Sequence, residues 1–311
     1  MSQREIVTEQ LPTMEVLAGN SLWINAWRRL LRNRLAVVGM VLAVIMVIAC
    51  IVGPAIIYST TGFTYDYIPK DSTLVKSFPP SLSHPMGTDI AGRDMLARVF
   101  LGGRISLMVG IIATFVSLLI GIAYGATAGY LGGKVDEVMM RAVDVLYSIP
   151  YMMIVIVLLS LFGSKTPIGQ LFLLFVALGA VSWLTMSRIV RGQVISLKNQ
   201  EFVLAARATG VSKPKIILRH LIPNVIGPVI VYATLTVPNV MLQEAFLSFL
   251  GLGVQPPLAS WGSLAAEGIR NIAVFPWQLI FPGLTMAITL FSLNFLGDGL
   301  RDALDPQTRK M

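Results

Sequence analysis

The sequence predicts an all-α protein that threads a bilayer about six times, and three observations predict it. Hydrophobic residues make up 55% of the chain and charged residues only 13%, about half the charged share of an ordinary soluble domain. The mean hydropathy is +0.74. The apolar residues also gather into six stretches of about 20 residues, the length that crosses a hydrocarbon core. Within lipid every backbone N–H and C=O needs an internal partner, so stretches of that length are helices.

The rest of the composition narrows the class further. The formal net charge is +8, which on an apolar chain reflects the basic residues that fix membrane orientation rather than a nucleic-acid footprint. With the N-terminus in the cytoplasm, 17 of the 24 Lys and Arg fall on inside segments and 7 on outside ones. Both termini are then expected inside. The single cysteine, Cys50, lies in an apolar run, so no internal disulfide and no metal-ligand spacing is available.

Residues 1–35 form the expected cytoplasmic N-terminus. Within them Trp23, Trp27, Leu30 and Leu31 alternate with Arg28, Arg29, Arg32 and Arg34 at helical spacing, the pattern of an amphipathic helix lying on anionic lipid headgroups. The first span, residues 36–58, begins too late and runs too long for a cleavable leader and reads as an anchor. Residues 59–104 are the external loop, rich in Pro, Ser, Asp and Thr until Thr88, where Thr88 or Asp89 caps a short helix reaching Phe100.

Residues 105–297 form a five-helix core, with spans at 105–131, 138–162, 168–187, 225–250 and 277–296. Pro150 and Pro238 are expected to kink their helices rather than end them. Gly121, Gly125 and Gly129 recur at four-residue intervals and strip one face of the second span, which predicts a close packing seam. Residues 298–311 form a cytoplasmic tail.

The most informative stretch is the basic cytoplasmic loop 188–224. Asn199 is expected to cap a first helix with Glu201 in its opening turn, and Gly210 supplies a left-handed stop. Ser212 then caps a second helix, with Pro214 in its first turn, that ends before Pro223. Ala205 and Ala206 are too small to shield the backbone of the first helix, so that face suits a groove on another protein; the alternative is a solvated basic loop.

Here the sequence resembles the permease subunits of ATP-binding-cassette importers, whose loop pattern it matches at Ala205, Ala206, Gly210 and Pro223. Leu204, His220 and Ile222 depart from that pattern. Three further motifs are similar to the C-type permeases of oligopeptide and dipeptide importers. The external one comprises His84-Pro85-Met86-Gly87-Thr88-Asp89, Gly92-Arg93-Asp94 and Gly103-Arg104-Ile105-Ser106-Leu107. A second comprises Leu247-Ser248-Phe249-Leu250-Gly251-Leu252-Gly253 with Ser260-Trp261-Gly262. The closing one comprises Gly297-Asp298-Gly299-Leu300-Arg301-Asp302 with Asp305-Pro306.

The resemblance implies a type I importer permease fold in a bacterial inner membrane. It implies a B-type permease partner, two ATPase subunits that bind the ATP and Mg, and an external peptide-binding protein, with no cofactor in this chain and no nucleic acid. It makes Glu201, Ala205, Ala206, Arg207 and Gly210 the ATPase-coupling residues. Related importers of nickel or glutathione use similar permeases.

Other residues bear on rival chemistries. Asp144 and Glu244 are acids within or near spans, costly enough to suggest function, and a proton-coupled carrier would use them as its relay. Asp144 lies one turn from Arg141, which predicts a helical ion pair, and Glu244 is expected toward the outer end of the fifth span, facing the path, touching the binding protein or serving as water-accessible structure; neither is assigned a substrate-binding role. His84 and His220 fall on opposite sides and cannot share a metal or a catalytic dyad. Gly132-Gly133-Lys134 lacks the leading Gly and the Ser or Thr of a phosphate loop, and Phe295 breaks the Gly-x-Gly-Asp pattern of an intramembrane protease. The chain is therefore expected to be a transport subunit and not an enzyme.

Overall fold

The computed structural model describes residues 22–68 and 77–304. Arg4, Lys70, Lys76, the tail from Asp305 to Lys310 and the Trp23 side chain lie outside the described residues. Eleven α-helices follow one another with no strand among the described residues: α1 (Leu22–Arg32), α2 (Arg34–Thr61), α3 (Met95–Leu131), α4 (Gly133–Ser148), α5 (Tyr151–Phe162), α6 (Pro167–Leu197), α7 (Glu201–Ala208), α8 (Lys213–Ile216), α9 (Ile222–Phe249), α10 (Trp261–Ile269) and α11 (Trp277–Leu304). A π-helical turn, Ile217–Leu221, joins α8 to α9, and the run Lys213–Phe249 is one continuous span. Five helices are long and apolar enough to cross a membrane, and a sixth crossing results if the bent pair α4–α5 is one span.

Several helices start on side-chain caps. Asn33 accepts from the Leu35 and Ala36 amides at 3.1 and 3.3 Å, which turns the chain from α1 into α2. Thr166 accepts from the Gly169 amide with Pro167 in the first turn of α6. Ser260 and Ser263 form a reciprocal capping box at α10.

α3 stands at the centre, with α6, α9, α2 and α10 against it, while α11 packs on α2, α9 and α10. The glycine seam forms as expected. A side chain added at Gly121 would meet Met186 and Ser187, one at Gly125 the Ser187 carbonyl and the Arg191 amide, and one at Gly129 the Arg191 carbonyl at 2.9 Å. α1 divides its apolar residues: Ala26 and Leu30 are buried with Ala36 and Ala303, while Trp27 and Leu31 stay about half exposed.

Three expectations need correction. No separate external helix ends near Phe100, because Asp94, not Thr88 or Asp89, caps the helix, and α3 then runs unbroken to Leu131. Pro150 ends a helix instead of kinking it: α4 stops at Ser148, Ile149 turns extended as a residue before proline prefers, and α5 departs at 80°. Pro238 does lie inside a continuous helix. The helix after Ser212 does not end before Pro223. The amide of Ile222 bonds the Ile217 carbonyl five residues back, and this wider turn carries the backbone past a proline that has no N–H to give.

Candidate functional site

The loop between α6 and α9 folds into a short foot at one end of the bundle. Gln200, extended and without a side-chain cap bond, precedes α7 in place of the expected Asn199. Val203 (0% exposed) and Ala206 (7%) turn inward and join Tyr130, Met186, Val190, Val194, Ile216 and Leu221 in one apolar cluster. Glu201, Leu204, Ala205 and Ala208 are exposed, and their spacing of three, four and seven puts them on one stripe. The two alanines therefore do not share a docking face as expected. Ala205 faces out and Ala206 is packed within the chain.

The foot ends where Gly210 takes φ +75°. Its amide bonds the Arg207 carbonyl at 3.0 Å, and the Val211 amide bonds the Ala206 carbonyl at 3.1 Å, the paired arrangement that closes a helix through a left-handed residue. Val211 packs against the cluster that holds Val203. Arg207 is exposed, and its guanidinium lies 5.0 Å from the Tyr130 ring centroid. Lys198 Nζ donates to the Gly129 carbonyl at 3.0 Å, and Arg191 donates twice to Asp136 at 2.5 and 2.6 Å. The foot is thus fastened to α3 and α6, and α6 in turn to α4, before any other protein touches it.

At the opposite end, residues of the external motif build a rigid joint. Asp89 accepts from Arg93 Nε and Arg98 Nη1, both at 2.6 Å. Arg98, 2% exposed, also reaches Glu267 on α10 at 2.9 and 3.3 Å. His84 Nδ1 lies 2.8 Å from Asp94 Oδ2, and the Trp277 and Gln278 side chains donate to the Thr88 carbonyl.

Both suspect acids occupy other settings than expected. Asp144 pairs with Arg188 of α6 at 2.7 Å rather than with Arg141, because Arg188 meets it from the helix that packs beside α4. Glu244 is fully buried rather than facing a path: Ser248 and Ser260 donate to it at 2.6 Å and Ser106 at 3.4 Å. It ties α3, α9 and the start of α10 together. His84 and His220 sit in the joint around Asp89 and in the π turn, and are not brought together. Gly132 and Gly133, both at positive φ, make the turn from α3 to α4.

The sequence reading missed Leu204 and Ala208 on the exposed stripe, which spacing from Glu201 would have revealed. It also missed the Asp136–Arg191 and Arg98–Glu267 pairs. No local signal announces those, since their members are 55 and 169 residues apart.

Comparison with known proteins agrees with this architecture. Residues 117–310 match the family described as binding-protein-dependent transport system inner membrane component. Residues 21–80 match the N-terminal TM domain of oligopeptide transport permease C. The oligopeptide transport system permease protein OppC of Haemophilus influenzae is 48% identical over 98% of this chain and 94% of its own length. Its namesake from Escherichia coli K12 is 50% identical over 94% and 93%. A chain of the MetNI methionine ABC transporter, solved in inward facing conformations, shares the fold with a TM-score of 0.54 at 17% identity, covering 68% of this chain and 98% of that one. The helices, the motifs and these likenesses together place the chain in the family of binding-protein-dependent transport system inner membrane components, as a multi-pass permease subunit of an ABC peptide importer.

Proposed function

We propose that the chain forms half of the translocation path of an ATP-driven oligopeptide importer and that α7 is the foot gripped by an ATPase subunit. It pairs with a B-type permease, two ATPase subunits bind the ATP and Mg, and an external binding protein delivers the peptide. The chain sits in the bacterial inner membrane with both termini in the cytoplasm. Relatives named for oligopeptide transport support the substrate class.

The observation that carries the coupling role is the exposed stripe of Glu201, Leu204, Ala205 and Ala208 on a helix fastened from behind by Val203 and Ala206. Past Glu201 the stripe is apolar with two alanines, which lets a partner approach the backbone closely. Closure of the ATPase pair would press on that stripe, and the unbroken Lys213–Phe249 run carries the motion into the bundle.

Gly210→Val tests this reading. Gly210 sits at φ +75° with open space around it, so the variant suffers backbone strain alone. In the reconstituted transporter, peptide uptake per ATP hydrolysed is expected to fall at least about tenfold, which corresponds to roughly 1.4 kcal/mol of misplaced coupling, while the subunits remain assembled. An unchanged ratio would defeat the proposal.

A further inference from the structure

α4 is held to α6 by polar bridges in series. Asp136 pairs with Arg191, Asp144 with Arg188, and the Tyr147 hydroxyl bonds that of Thr185. Val143 is the one buried residue of α4. The first bridge is partly shielded, with Asp136 14% exposed, whereas the Arg188 and Asp144 side chains keep 44% and 58% of their exposure. The Arg188 guanidinium lies 4.1 Å from the Tyr147 ring centroid, which fixes its plane.

The surroundings turn polar on the α6 side of the pair, while α4 keeps Val145, Leu146 and Tyr147 exposed beside Asp144. Toward its start, α6 exposes Ile168, Phe172 and Val176, as a face against hydrocarbon should. Toward its end the exposed residues are Thr185, Arg188, Gly192 and Ser196, one stripe at helical spacing without a large apolar side chain. Charged groups in a spanning segment are strongly disfavoured against hydrocarbon and turn to water-filled space or to protein.

We propose that Asp144 and Arg188 form a binding site for the charged ends of a peptide in transit, each end engaged as it passes, Arg188 taking the C-terminal carboxylate and Asp144 the N-terminal ammonium. This rests on the peptide-importer reading. A free peptide carries one group of each sign, and so does the pair, so between transport events neither charge is left alone. Only Nη2 of Arg188 bonds Asp144, and a guanidinium offers five donors in a planar fork suited to a carboxylate. An ion pair this exposed is held weakly, so exchanging partners with a peptide terminus costs little.

The test uses the whole transporter in vesicles and a short peptide supplied free, C-terminally amidated or N-acetylated. Each variant's KM is divided by the wild type's for the same peptide, which cancels selectivity contributed by the delivering protein. Arg188→Gln is expected to raise KM on the order of tenfold for the free peptide and to leave the amide unchanged. Asp144→Asn is expected to spare the N-acetyl peptide in the same way. Arg188→Lys keeps the charge and should keep the preference, which covers a Gln variant that fails to assemble.

A second measurement uses Thr185→Cys against a native cysteine, Cys50, that is buried. Modification of the introduced thiol by a water-soluble reagent is expected to be slowed by free peptide more than by the doubly blocked one. Equal losses for all three peptides, with recovery in the swapped Asp144→Arg/Arg188→Asp pair, would mark a purely structural bridge and overturn the inference, as would an introduced thiol that never reacts. Absence of ATP-driven uptake in the wild type would instead bring down the importer reading together with this site; normal wild-type uptake with unaltered variants brings down the site alone.

Discussion

Arg98 shows what one side chain can hold together. It is 2% exposed, yet it joins Asp89 in the loop between α2 and α3 to Glu267 on α10, two segments that meet only through the fold. Removing one member of a buried charge network leaves the others uncompensated, so Arg98→Met is expected to cost about 3–5 kcal/mol, read as a lowered unfolding midpoint of the purified complex. Glu267→Gln should cost much less, because Glu267 is 44% exposed and Arg98 keeps Asp89. The sequence motif around Asp89, Arg93 and Asp94 was legible as a signature, but not as a joint: Glu267 lies far along the chain. Glu244 was misjudged for a similar reason. Its three hydroxyl partners come from α3, α9 and the cap of α10, and a one-dimensional reading sees only an acid in an apolar run.

Among the elements, α3 and α6 form the pair on which the others are laid, and glycines set their spacing. A side chain at Gly125 would run into the Ser187 and Arg191 backbone, which cannot rotate away. Gly125→Val is expected to destabilise by about 1–3 kcal/mol or to block assembly, whereas Gly227→Ala, with nothing within 4 Å of the added carbon, should be neutral or stabilising by up to about 1 kcal/mol. Thermal unfolding of the two variants side by side checks this. The four-residue glycine interval made the seam readable in advance. The prolines were less readable, since the same residue has three outcomes here: Pro150 ends a helix, Pro238 rides inside one, and Pro223 follows a π turn. Which outcome occurs depends on whether the residues before the proline can shift their hydrogen bonds by one, and that is settled by packing rather than by sequence.

For the molecule as a whole, the apolar runs and the loop punctuation were enough to give the fold class and the existence of the foot, because both follow from local periodicity. The direction of each α7 side chain was not, since it depends on how the foot rests on Tyr130, Val190 and Val194. That correction moves the proposed contact from the two alanines to the stripe of Glu201, Leu204, Ala205 and Ala208. Leu204→Asp is therefore expected to weaken retention of the ATPase subunits at least about tenfold, roughly 1.4 kcal/mol, measured by their dissociation from the purified complex. Arg207→Gln, whose guanidinium leans on this chain's own Tyr130, should have a smaller effect on that measurement.

The unbroken run from Lys213 to Phe249 spans 37 residues, a rod about 55 Å long. Pivoting such a rod by about 5° about its foot sweeps the far tip through roughly 5 Å, close to one helical turn. That tip carries Glu244 and Ser248, which clasp the first residue before α10. On the coupling proposed above, a small tilt at one membrane face would be magnified and handed to a separate helix at the other, with Glu244 as the knuckle between them.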